Sequence, residues 1–145
     1  MPTLTPCPPI RMRRLAIAVA TVAIALTALT ACAPAAAPAA RSVTLQTLND
    51  SGVTGTVTFA ALGDKTSVEI AVDPGANPDM PAHIHPGTCD NLTPQPKFPL
   101  ENVRNGSSKT DVPASMDELF AGGLAVNIHR SNDDLKTYTA CVDLR

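Results

Sequence analysis

The chain has 145 residues, 17% of them charged and 3% aromatic, with no tryptophan. That length suits one domain, and 11 basic against 13 acidic residues leave no surplus of positive charge with which to hold nucleic acid. Much of the apolar content lies in the first 40 residues, so the part that folds is more polar than the average suggests.

Arg11, Arg13 and Arg14 precede an apolar and threonine stretch over residues 15–29, the arrangement of a secretory signal. At about 15 residues the stretch is shorter than the roughly 20 a membrane-spanning helix needs. It runs into Leu29-Thr30-Ala31-Cys32, which looks like a bacterial lipobox: small residues before a cysteine that carries lipid. Residues 1–31 are therefore expected to be a lipoprotein signal peptide. Residues 32–41 are expected to be the lipidated Cys32 and an Ala/Pro tether, extended rather than folded. The folded domain is then residues 42–145, held by lipid to the bacterial cell envelope on its periplasmic or cell-surface side. Removing the three arginines from the 11 basic residues leaves 8 against 13 acidic, a net charge of −5. Membrane attachment would thus come from lipid alone.

Within the domain, apolar residues alternate with polar ones at the period of strands. Val43 and Leu45 share a face, then Val53, Val57 and Phe59, then Val68, Ile70 and Val72. Asn49-Asp50-Ser51-Gly52 and Leu62-Gly63-Asp64-Lys65 supply turns between them. Further short strands are predicted near residues 82–85, 123–129 and 136–144, and residues 94–99 and 105–108 read as loop. Ser115-Met116-Asp117-Glu118 is a capping box closed by Gly122-Gly123, which allows one short helix in a long connection. The pattern predicts an all-β fold, an antiparallel Greek-key sandwich or barrel.

Of four cysteines, Cys7 leaves with the signal and Cys32 takes the lipid. Cys89 and Cys141 remain, an even pair in an oxidising compartment, and are expected to be joined. The chain has three histidines, His83, His85 and His129. On a strand, His83-Ile84-His85 points both rings to one side and Ile84 to the other. Val126-Asn127-Ile128-His129 repeats the arrangement, with Asn127 and His129 on one face. With the isoleucines in the core, all three imidazoles lie outside it, where they can form a metal site exposed on the outer wall of the sandwich. Imidazole suits copper, zinc, iron or nickel and does not by itself name the ion.

His-Ile-His-Pro-Gly-Thr-Cys at residues 83–89, then His129, then Thr139-Ala140-Cys141, resembles the copper/zinc superoxide dismutase family, in the same order across roughly residues 42–145. The resemblance implies a superoxide dismutase-like fold, one copper ion on His83, His85 and His129, and the Cys89–Cys141 disulfide. It also implies superoxide as substrate. The family has a further histidine bridging copper to zinc, then two more histidines and an aspartate on zinc. No histidine lies between His85 and His129, so no zinc site of that type is expected. Where the family places an arginine that guides superoxide, three residues before the last cysteine, this chain has Tyr138. Arg130 and Lys136 lie near in sequence, without an assigned role.

The expected protein is therefore an envelope-anchored, copper-binding, superoxide dismutase-like lipoprotein. A non-enzymatic copper-binding or buffering protein on the same fold is a second reading. A metal-free structural domain is a third, and it predicts that the three rings diverge. Three other features read as structural: Met80 as packing on the Ile84 side, Asp133 and Asp134 as a solvated turn, and Tyr138 as inward-facing with Ala140 and Val142.

Overall fold

The computed structural model describes residues 40–73 and 77–145. The predicted signal peptide, Cys32 and most of the tether lie outside the described residues. In chain order the elements are β1 (Ala40–Thr44), β2 (Gln46–Thr47), β3 (Gly55–Leu62), β4 (Lys65–Val72), β5 (Asp79–Met80), β6 (Ala82–Thr88), β7 (Asn91–Leu92), β8 (Phe98–Pro99), β9 (Val103–Arg104), β10 (Ser107–Val112), α1 (Met116–Leu119), β11 (Leu124–Ser131) and β12 (Asp134–Leu144).

The strands form two antiparallel sheets, ordered β1-β3-β4-β10-β9-β5 and β2-β12-β11-β6-β7, with β8 paired to β6. A period-two strand with one apolar face must bury that face, and two such sheets bury each other's. Val57, Phe59, Val68 and Ile70 from the first sheet meet Ile84, Val126, Ile128 and Leu144 from the second, all at most 1% exposed. Burying each of these large side chains contributes roughly 1.5–3 kcal/mol. Met80 is part of the same core, the packing role that alternation predicts. Leu45, also buried, lies between β1 and β2, so one short stretch of chain supplies the edge of both sheets.

The predicted hairpin β3–β4 pairs Gly55 with Val72 through Leu62 with Lys65. The helix is a single turn, with Ser115 as N-cap accepting from the Glu118 amide, as the capping box predicts.

Two stretches read as loop are strands. Ser107–Val112 pairs with β4 along its whole length, and Phe98–Pro99 pairs with His83 and Ile84. The β10 sequence SSKTDV carries one apolar residue, Val112, and a strand whose other residues are all polar has no apolar alternation to reveal it.

The sheet that carries the histidines has β11 at its centre, between β6 and β12. Cross-strand register pairs Val126 with Ile84, and Asn127 with both His83 and Cys141. Paired residues project to the same face. The isoleucines therefore fill the core while His83, Asn127 and Cys141 share the opposite face. Cys89 and Cys141 are disulfide-bonded, 52 residues apart in sequence. Near the end of β6, Gly87 has φ +111° and pairs closely with β7, where a Cβ would lie 2.2 Å from the Asn91 carbonyl oxygen. Glycine is required there by both space and backbone angle.

Candidate metal centre

His83, His85 and His129 converge. One ring nitrogen from each lies within 4.8 Å of the others, against the divergence that a metal-free structural domain predicts. Ring centroids are 5.5 Å apart for His83 and His85 and 5.0 Å for His83 and His129.

The site is more enclosed than an outer-wall position suggests. His85 is 2% exposed and His129 5%, and only His83 keeps partial access to solvent. The cover comes from the segment after β7, which folds back over β6. The Thr93 amide donates to the Pro86 carbonyl at 2.9 Å and the Lys97 amide to the Ile84 carbonyl at 2.8 Å. This lays Pro94 and Pro96 beside the rings, while the start of β12 closes the other side with Leu135, Lys136 and Tyr138. The result is a cleft of about 400 Å³ with the three imidazoles in its wall. The sequence shows that β6 has a bare outer face, but not which loop returns across it.

Backbone carbonyls orient two of the rings. His85 Nδ1 lies 2.7 Å from the Thr93 carbonyl oxygen, and His129 Nδ1 lies 2.7 Å from that of Leu135. A carbonyl only accepts, so in each ring Nδ1 carries the proton and Nε2 is left as the free lone pair. Backbone carbonyls hold metal-ligating histidines in this way. His83 Nδ1 is 2.9 Å from His129 Nε2. Because His129 has committed its proton to Leu135, His83 is the donor in that pair. His85 Nε2 is buried with no hydrogen-bond partner among the described residues. A buried polar atom left unpaired costs about 1–3 kcal/mol. An ion bound by His83 Nδ1, His85 Nε2 and His129 Nε2 would satisfy it, so the residues fit a metal. The three-histidine cluster can hold one.

Burial sets the protonation of the cluster. It is the main cause that lowers the His83 pKa to about 4, helped by the nearby His129 and His85 rings. Burial also lowers the His129 pKa, opposed by its bond to the Leu135 carbonyl. Between pH 6.5 and about 4 an unfolded chain binds a proton at His83 that the folded one does not. Stability of the metal-free protein should therefore decline as pH falls through that window and level off below it. The full shift corresponds to about 3 kcal/mol, and we expect about 1–2 kcal/mol because the ring is partly open to water. Denaturant unfolding at pH 7 and pH 4.5 measures it, and the difference should shrink by that amount in His83→Leu.

Tyr138 does not face the core with Ala140 and Val142. Its ring meets His129 edge-on at 5.1 Å and lines the cleft. Ile128 pairs with Ala140 but His129 pairs with Tyr138, leaving Thr139 as a bulge. One extra residue inverts the inward–outward alternation beyond it, which periodicity alone does not reveal.

Asp133 lies in the turn with Asn132 while Asp134 begins β12, and it is a carbonyl rather than a carboxylate that holds His129. Lys136 lines the cleft, whereas Arg130 pairs with Asp134 and lines a separate cavity. Asn127 is the residue that sequence reasoning left without a role. It is fully buried, and its Nδ2 is 3.4 Å from His129 Nε2. A lone amide inside the apolar run Leu124–Ile128 is the signal that points to it.

No family model, curated protein or solved structure matches the chain.

Proposed function

We propose that residues 42–145 form a superoxide dismutase-like, copper-binding domain anchored to the bacterial envelope through Cys32, acting on superoxide at the three-histidine centre. The observation that carries this reading is the convergence of His83, His85 and His129 with two Nδ1 protons tied back to carbonyls, which leaves the Nε2 lone pairs of His85 and His129 to the cluster. The choice of copper over other imidazole-binding ions rests on the ordered resemblance of the histidines and cysteines to the superoxide dismutase family.

Bound copper would supply the one-electron couple that dismutation needs. The chain supplies the rest. Thr93 and Leu135 orient two rings, and Pro94, Pro96 and Leu135 narrow the approach. Lys136 places one positive charge on the cleft wall, which favours entry of a small anion into a domain of negative net charge.

One observation favours copper binding without turnover. The cleft presents Tyr138 where the family has its guiding arginine, and the chain has no histidine between His85 and His129 to bridge the copper. Loading the protein with Cu(II) and measuring both stoichiometry and dismutation separates the readings. We expect one copper per chain and a rate clearly above that of free copper. One copper with no rate above free copper would leave a copper-holding protein, and no bound copper would end both readings.

A further inference from the structure

Asn127 lies in the middle strand of the histidine-bearing sheet, paired across it with His83 on β6 and with Cys141 on β12. Its neighbours Val126 and Ile128 belong to the core, whereas Asn127 lies on the face that carries His83. It is a carboxamide that is 0% exposed, whose Oδ1 has no hydrogen-bond partner among the described residues. Its Nδ2 makes one long contact, 3.4 Å to Nε2 of His129. Burying an amide with so little compensation is costly, and no other polar group of the fold repays it.

The contact has the length of something other than a good hydrogen bond. Two atoms bound to one ion at about 2.0–2.2 Å, at a tetrahedral angle, sit roughly 3.3–3.6 Å apart. The two ends of a carboxamide are isosteric, so a half-turn of the side chain exchanges Nδ2 for Oδ1 at the same place. A bound ion also takes the lone pair of His129 Nε2, and the amide then loses the one partner it has. Turning Oδ1 inward gives the buried oxygen an ion to bind and removes the donor from a nitrogen whose lone pair is taken.

We propose that Asn127 is the fourth protein donor of the centre, its Oδ1 completing the set made by His83, His85 and His129 from beneath the rings. The inference rests on reading the cluster as a copper site and extends it. The ligand class is a copper ion held by three imidazoles and one neutral amide oxygen. An oxygen donor at this position favours Cu(II) over the softer Cu(I).

The test compares the parent protein with Asn127→Leu and Asn127→Asp, each titrated with Cu(II) against a competing chelator. Their Cu(II) electron paramagnetic resonance and visible spectra are then recorded. Asn127→Leu should still bind one copper through the three imidazoles, with altered hyperfine coupling, a shifted ligand-field band and Cu(II) affinity weaker by roughly a hundredfold, since a donor is lost and not merely an outer contact. Asn127→Asp keeps an oxygen at the same point and should return the spectrum and affinity toward the parent's. Metal-free Asn127→Leu should melt no lower than the parent, because it removes an unpaired buried amide; this checks that the variant folds. Unchanged spectrum and affinity in a folded Asn127→Leu would overturn the assignment while leaving the three-histidine site intact. Absence of copper from the parent would overturn the site itself, and the assignment with it.

Discussion

On the proposed copper reading, His85→Ala is expected to weaken copper binding by more than a hundredfold while the metal-free protein stays folded. Of the three rings, this one is the best prepared for a metal: Nδ1 is held at 2.7 Å by the Thr93 carbonyl, and Nε2 is buried without a partner. Losing a partner that merely orients a ligand typically costs 10–100-fold in affinity, and losing the ligand itself should cost more. The fold has less at stake. The imidazole lies outside the apolar core, and its removal frees one carbonyl while ridding the interior of an unpaired nitrogen. Competition against a chelator of known affinity, with a thermal melt of the metal-free variant, measures both quantities. A loss of less than tenfold would place the copper elsewhere.

Replacing Cys89 and Cys141 together by alanine is expected to cost about 4 kcal/mol on the chain-entropy model, given their separation of 52 residues. For a domain of this size that corresponds to a fall of roughly 15–30 °C in Tm. The effect should reach the metal site as well. Cys89 is four residues beyond His85 and begins the turn that leads to Thr93, whose carbonyl orients the His85 ring. Besides the disulfide, the Cys89 amide is held by the Asp143 carboxylate at 2.8 Å. Without the covalent link that single hydrogen bond must hold the turn to β12. Thermal unfolding with and without reductant, in the absence of metal, checks the stability. A fall of less than about 5 °C would mean that the unfolded chain is already constrained near this loop.

Much of this architecture could be read from local pattern. Ser67-Val68-Glu69-Ile70 alternation, the turn at Leu62–Lys65 and the Ser115 cap each depend on neighbours in sequence, and they appear where the residues place them. The pairing of Cys89 with Cys141 followed from counting, and the common face of His83 and His85 from the two-residue period of a strand. What escaped depends on partners distant in sequence. The polar strand β10 exists because β4 offers it a ladder of backbone hydrogen bonds, not because its side chains ask for burial. Tyr138 turns toward His129 because of one bulged residue. The enclosure of the histidines comes from a return of residues 93–97 over β6, which no periodicity encodes.

The hydrogen bond between His83 and His129 separates how fast an ion is taken up from how firmly it is kept. In the metal-free cluster the His83 proton sits on Nδ1, the same nitrogen an ion must occupy. Both rings can end neutral, so the exchange needs no net loss of a proton from the pair. It needs that proton to leave one nitrogen of His83 and arrive at the other. His83 is also the one ring of the three with partial access to solvent, so water or a buffer molecule can carry the proton across. Retention of an ion would depend on lone pairs and burial, whereas its uptake would require a tautomer change on a single imidazole.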